Sequence, residues 1–283
     1  MNATDELLNV VERSRAGFEP EEGDFYDDEG FLVCGKCKTR RESMVKLPGS
    51  EEEIKVPSLC RCRFEKQEFE KEQKRHNDVV SGLRSISLMD RRLENATFEN
   101  FVTKESNAKC RRLLESYAKR FDEMCEKSQG LILFGTVGTG KTYGAACVAN
   151  YLIEREISVV MTSFIKIIDQ MRGFDEDSET IIRRINRARL LIIDDLGAER
   201  DTTYALEKVY DVIDARYRSK RPMILTTNMS MADMLAEEDV RYSRIYDRIF
   251  EMCVPIPYEG PSWRKVEAAR RADRMKAFME KQL

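Results

Sequence analysis

Eight consecutive residues, Gly135-Thr136-Val137-Gly138-Thr139-Gly140-Lys141-Thr142, fit G-x-x-x-x-G-K-S/T at every fixed position. Glycines at those places let backbone N–H groups turn inward around a phosphate. A helix starting there adds the partial positive charge of its N-terminus. In that chemistry Lys141 reaches the β- and γ-phosphates of a nucleoside triphosphate, and the Thr142 hydroxyl ligates Mg²⁺. The motif needs a strand ahead of it and a helix behind. Leu131-Ile132-Leu133-Phe134 is an apolar run of strand length. Tyr143 to Glu154 is Ala-rich and helix-prone, with Val148, Tyr151 and Leu152 spaced for one apolar face. The stretch predicts a nucleoside triphosphate site.

Helix and strand patterns continue to alternate beyond it, as a parallel α/β sheet demands. Ile157 to Met161 reads as a second strand. Leu190-Leu191-Ile192-Ile193-Asp194-Asp195 reads as a third, apolar until two carboxylates emerge at its end. In this Walker B arrangement Asp194 faces the Mg²⁺ shell and Asp195 orients or deprotonates an attacking water. An Asp where Glu is usual shortens the base by one methylene and predicts slow hydrolysis. Met223 to Asn228 reads as a fourth strand, and Asn228 would hold the water beside the γ-phosphate if the sheet has the order such sites use.

A second constellation lies upstream. Cys34-Gly35-Lys36-Cys37 is followed, across a polar insert, by Cys60-Arg61-Cys62. Two close pairs of thiolates can complete a tetrahedral site, and structural zinc is the ion that such a set holds. Four further cysteines, Cys110, Cys125, Cys147 and Cys253, sit in apolar settings and read as core residues. The one histidine, His76, reads as a surface residue on a charged helix.

The elements that carry these groups divide the chain in three. Residues 1–75 form a small N-terminal module, opening on an amphipathic helix over 2–15 and an acidic, solvated linker from Glu19 to Glu29. Residues 76–100 read as a linker, and 101–283 as the nucleotide-binding domain, entered through a helix from Ser106 to Lys127. The chain has 283 residues, 42% of them hydrophobic, which suffices for a core, and 35% charged, above the usual quarter. A net charge of −3 hides blocks of both signs and so does not exclude nucleic-acid partners. No apolar run approaches a membrane span, and the charged N-terminus has no signal-peptide core, which predicts a cytoplasmic protein with no membrane partner and reduced thiols.

With the glycine loop, Asp194-Asp195-Leu196-Gly197-Ala198-Glu199 and Leu225-Thr226-Thr227-Asn228 in place, residues 96–265 resemble an AAA+ ATPase. More narrowly they resemble the DnaC/DnaI-type replicative helicase loaders and their relative, the IstB transposition ATPase. The resemblance implies an AAA+ P-loop fold with a central parallel sheet and a reduced C-terminal lid, and ATP as the nucleotide. It makes Asn228 sensor 1, Arg264 in Ser262-Trp263-Arg264 sensor 2, and Arg248 the arginine finger that completes a neighbour's site. Arg241 and Arg244 compete for that last role. It also implies a DnaB-type hexameric helicase as partner of the cysteine-rich module, and self-association through the nucleotide site.

Single-stranded DNA is the remaining implied partner. Its surface is sought in Phe164 to Arg189, with Phe174, Arg183 and Arg184, and at Tyr204 just after the paired carboxylates. Basic side chains that track a backbone and aromatics that stack on bases serve sequence-tolerant binding. The acidic residues sharing the first segment also allow a plain solvated helical face. The function implied is ATP-dependent loading of a replicative helicase onto single-stranded DNA, with hydrolysis stimulated by partner or DNA. The alternatives are an IstB-like helper ATPase for a transposase and, from another class, a P-loop kinase of a small molecule.

Overall fold

A computed structural model describes residues 20–46, 51, 53–87, 89–173, 177–199 and 202–280. The helix expected over 2–15 and the candidate Phe174 lie outside the described residues. The chain forms two compact units, Met1–Asp78 and Val79–Leu283. Among the described residues no helix is long and apolar enough to cross a membrane.

The first unit is built from two small antiparallel ribbons. β1 (Phe25–Tyr26) pairs with β2 (Leu32–Val33), and β3 (Glu42–Lys46) pairs with β4 (Glu53–Pro57). Helix α1 (Arg61–Ile86) follows. The acidic stretch at the start is not the solvated linker its composition predicted. The Asp24 side chain is only 3% exposed and pairs with Arg41, itself 1% exposed. It also accepts the N–H groups of Gly35 and Glu21, and these backbone bonds hold its pKa down at about 2. Asp27 accepts the N–H groups of Phe31 and Glu29 and pairs with Arg40 at 2.7 Å. Carboxylates that accept backbone N–H groups fold a short turn-rich segment with little apolar area.

The second unit is a five-stranded sheet, every neighbouring pair parallel, in the order β6-β7-β8-β5-β9. Its strands are β5 (Gly130–Phe134), β6 (Val159–Ser163), β7 (Leu190–Leu196), β8 (Met223–Thr227) and β9 (Cys253–Pro257). Successive residues alternate between two cores. Leu131, Leu133, Leu190, Ile192 and Ile224 join one, while Ile132, Leu191, Ile193, Met223 and Leu225 join the other. Both faces are covered, so the strands read as unbroken apolar runs. α2 (Glu105–Lys119), the short α3 (Phe121–Glu126) and α4 (Lys141–Ile153) supply the first core. α5 (Phe164–Arg172), α6 (Ser178–Arg187), α7 (Thr203–Arg218), the single-turn α8 (Met231–Leu235) and α9 (Val240–Met252) supply the second. α10 (Trp263–Glu280) closes the described chain.

A fifth strand, β9, is not among the four that the sequence predicts, and it carries Pro255 and Pro257, which argue against a strand. It forms because it lies on the sheet edge and pairs only with β5, where a missing N–H donor is tolerated. Nor is 76–100 a linker. Its first residues continue α1, and Val80, Ala96 and Phe98 are buried in the first core. The Asn150 side chain, on α4, donates to the carbonyls of Leu93 and Ala96, each at 2.8 Å.

A chain starting at Val79 is expected to unfold cooperatively, since this segment belongs to the second unit. One starting at Phe101 loses Phe98, which alone is worth about 3–5 kcal/mol by large-to-small substitution, and strands the buried Asn150 amide. Circular dichroism melts of the two truncations check this, the shorter one losing the transition or melting far lower.

Candidate nucleotide site and metal centre

The glycine loop joins β5 to α4, and three of its glycines have positive φ: +137° at Gly135, +86° at Gly138 and +102° at Gly140, the N-cap of α4. A Cβ at Gly135 would overlap the Tyr258 carbonyl, and one at Gly138 the Ser262 side chain. Both close approach and left-handed backbone therefore require glycine. Lys141, the first residue of α4, is 4% exposed. Its Nζ donates to the carbonyls of Gly135 (2.7 Å) and Thr136 (2.9 Å) and to Asn228 Oδ1 (2.8 Å). Burial lowers its pKa, an effect opposed by the nearby charges of Asp195 and Asp194.

The paired carboxylates sit on a β-bulge. Ile193 pairs with Leu225 and Leu196 with Thr227, so Asp194 and Asp195 together face Thr226 alone. Asp194 Oδ1 accepts the hydroxyls of Thr142 (2.8 Å) and Thr226 (2.6 Å). Burial pushes the Asp194 pKa up, and the two hydroxyls push it back. Asp195 is exposed, with φ of +55°, an uncommon conformation for a residue with a side chain. Such outliers cluster at functional sites. Asn228 Nδ2 lies 3.5 Å from Asp195 Oδ1. Strand order accounts for the convergence, because β8 lies between β5 and β7 and so carries Asn228 between the glycine loop and the carboxylates.

Lys141, Thr142, Asp194, Asp195, Asn228 and Arg264 line one cleft of about 850 Å³, together with Val137, Gly138 and Gly140. Asp90, Arg92 and Lys166 also contribute to its wall, and none of the three carried a motif. Arg264 arrives at the start of α10, whose Trp263 N–H donates to the Gly138 carbonyl at 2.8 Å. A second cavity of about 270 Å³ has Gly140, Thr139 and Trp263 in its wall, facing Phe101, Val102, Tyr143, Asn100 and Asn107. Lys104 Nζ lies 4.6 Å from the Trp263 ring centre. This apolar slot went unforeseen, because its residues meet only in the folded chain.

Residues 65–271 match the family of IstB-like ATP binding proteins. The chain belongs to that family. It is 27% identical to the replicative helicase loader DnaI of Bacillus subtilis, over 49% of this chain and 48% of that protein. It is 29% identical to the replicative helicase loader DnaC of Escherichia coli strain K12, over 50% of this chain and 58% of that protein. The chain thus spans about half the length of these two relatives. A crystal structure of DnaI superposes with a TM-score of 0.52 at 26% identity, covering 60% of this chain and 95% of that one. The parallel sheet with its glycine loop is the AAA+ P-loop fold.

In this IstB-like chain the remaining candidates stand apart from the cleft. Arg248, on α9, donates to Asp214 Oδ1 (3.0 Å), the Tyr210 hydroxyl (2.8 Å) and the Arg244 carbonyl (3.1 Å). Its side chain is 24% exposed, whereas Arg244, one turn earlier, is exposed, and Arg241 pairs with Asp239. Arg183 is exposed and pairs with Glu179 at 2.6 Å, and Arg184 donates to Gln170 Oε1 at 3.2 Å. Tyr204 lies between two cations, with Arg172 at 5.6 Å and Lys208 at 5.8 Å from its ring centre. The fold thus joins the two segments in which a DNA surface was sought.

The cysteine quartet precedes the residues matched to the family. The four Sγ atoms of Cys34, Cys37, Cys60 and Cys62 lie within 4.8 Å of one another. Cys34 is 3.7 Å from Cys62, and Cys60 is 3.4 Å from Cys62. Zn–S bonds of about 2.3 Å in a tetrahedron place sulfurs about 3.8 Å apart, so the quartet fits zinc. Backbone N–H groups of Cys37 and Lys36 lower the Cys34 pKa, and the Thr39 hydroxyl leads in lowering that of Cys37 to about 5, whereas the neighbouring thiols of Cys60 and Cys37 push Cys62 up to about 12. Such donors favour the thiolates that a metal needs. The remaining cysteines are apart from this set, with Cys110, Cys147 and Cys253 buried and Cys125 partly so.

The purified full chain is expected to carry about one zinc per molecule by atomic spectroscopy. Cys37→Ser should lose it, and chelation should unfold the first unit while leaving the melt of the second in place.

Proposed function

We propose that this chain is an ATP-driven loader that delivers a replicative, DnaB-type hexameric helicase onto single-stranded DNA. The observation carrying the reading is the convergence of Lys141, Thr142, Asp194, Asp195, Asn228 and Arg264 on one cleft. Those are the groups that bind a triphosphate with Mg²⁺ and act on its γ-phosphate. The resemblance to DnaI and DnaC supplies the client and the DNA.

The triphosphate lies along Gly135 to Thr142, where its oxygens become the acceptors that loop carbonyls now provide for Lys141. Mg²⁺, when bound, neutralises charge on the phosphates, and Thr142 and Asp194 would hold it. Asp195 orients the attacking water and takes its proton, with Asn228 positioning it. Arg264 stabilises charge developing on the γ-phosphate. The purine occupies the apolar slot between Val102, Tyr143 and Trp263. Arg248 completes the site of a neighbouring copy, which requires it to exchange Asp214 for the neighbour's nucleotide. Arg172, Tyr204, Lys208 and the exposed Arg183 and Arg184 serve the single strand. The first unit, held by zinc, meets the helicase. ATP acts here as a switch, setting partner affinity by its state more than by rate of turnover.

The alternative reading is an IstB-like helper of a transposase, run by the same engine. Capture of a replicative helicase rather than a transposase by the full chain, in an ATP-dependent manner, supports the loader. The reverse result selects the helper, and phosphate transfer to a metabolite would point to the kinase.

Lys141→Ala is expected to abolish nucleotide binding in calorimetry. Asp195→Asn should keep ATP affinity and lower turnover about a hundredfold or more, with nucleotide-bound assemblies accumulating on size exclusion. Arg248→Ala should spare ATP affinity and lose only the assembly-dependent part of hydrolysis. If that loss instead follows Arg244→Ala, the finger is Arg244.

A further inference from the structure

Where β7 bulges, the regular ladder to β8 is interrupted, and two threonine side chains of β8 replace it. Thr226 Oγ1 donates to Asp194 Oδ1 at 2.6 Å and accepts the Asp195 N–H at 2.9 Å. One fully buried hydroxyl therefore fixes the carboxylate of one residue and the backbone of the next. Thr227 Oγ1 donates to the Leu196 carbonyl at 2.8 Å, where pairing resumes. Strand formation supplies no reason for a hydroxyl at position 226. Valine has the same shape, a comparable β preference and no polar atom to satisfy in a fully buried place.

We propose that Thr226 is the positioning residue for both carboxylates of the nucleotide site. It aims Asp194 at Thr142 and the metal position. It also anchors the Asp195 peptide, so that the left-handed turn presents that carboxylate to the cleft within reach of Asn228. Thr226 lies outside the set of residues lining the cleft and acts only through the two aspartates. Removing its hydroxyl takes a donor from Asp194 and leaves the Asp195 N–H without its acceptor, so the turn at the bulge loses its fixed geometry. A hydroxyl-to-carboxylate bond is among the stronger hydrogen bonds, and loss of geometry at a catalytic base compounds its effect. The inference rests on the ATP-hydrolysing reading above.

The test uses the full chain and its Thr226→Val, Thr226→Ala and Thr226→Ser variants. ATP affinity is measured by calorimetry with and without Mg²⁺, alongside steady-state kcat and KM. Thr226→Val is expected to keep parent-like affinity for ATP without Mg²⁺, to lose most of the gain that Mg²⁺ brings, and to lower kcat about tenfold or more. Thr226→Ser, which keeps the hydroxyl, should restore both. Should Thr226→Val fail to fold, Thr226→Ala against Thr226→Ser carries the same comparison. A hydroxyl-free variant with parent-like kcat and Mg²⁺ dependence, changed only in melting temperature, overturns the proposal. A parent chain that binds no ATP defeats the nucleotide reading itself. A parent that binds without turnover leaves the Mg²⁺ dependence of affinity to decide on Thr226.

Discussion

A single carboxylate oxygen ties the second unit together. Asp194 Oδ1 takes hydrogen bonds from Thr142 at the start of α4 and from Thr226 on β8, while its own backbone belongs to β7. Three segments far apart in sequence meet at one acceptor. They can meet only because β8 is inserted between the glycine-loop strand and the carboxylate strand. Burial opposes the charge on Asp194, and the two hydroxyls favour it. The bulge follows from the same meeting: two aspartates opposite one threonine leave no regular ladder, and threonine side chains satisfy the backbone that the ladder abandons.

Around that centre the cleft is assembled from nearly the whole second unit. Asp90 and Arg92 come from the segment that precedes the domain's first long helix, and Arg264 from the start of its last. The loop glycines admit this closeness from the C-terminal side, since Tyr258 and Ser262 occupy the space that side chains at Gly135 and Gly138 would need. The Trp263 N–H then fastens the start of α10 to the loop carbonyl of Gly138. Trp263 lines both the apolar slot and the larger cleft, and Arg264, next in sequence, lines the cleft.

The first unit solves the folding problem differently. Among its described residues only a handful of apolar side chains are buried, Phe31, Leu32 and Val33 among them. Carboxylates that cap turns, a buried Asp24–Arg41 pair and four convergent thiols take the place of a core. Hydrogen-bonded turns and buried polar pairs can stand in for apolar area in a module too small to bury enough surface.

By itself the sequence determined what depends on local spacing: the glycine loop with its strand and helix, the carboxylates ending an apolar run, four of the five strands of the parallel sheet, and two close cysteine pairs. Each is a pattern within a dozen residues or so, where backbone preference and side-chain periodicity act without help. What only the tertiary structure decided are the properties that need partners from elsewhere. Edge placement made a strand of Pro255 and Pro257, and Asp24 became a buried anchor through Arg41. The amide of Asn150 ties Leu93 and Ala96 to the core, and Thr226 bonds both residues of the bulge at which Asp195 turns left-handed. Phe101, Tyr143 and Trp263 enclose a slot although none marks it alone. In every case the decisive free energy comes from contacts between residues remote in the chain, which a linear pattern does not carry.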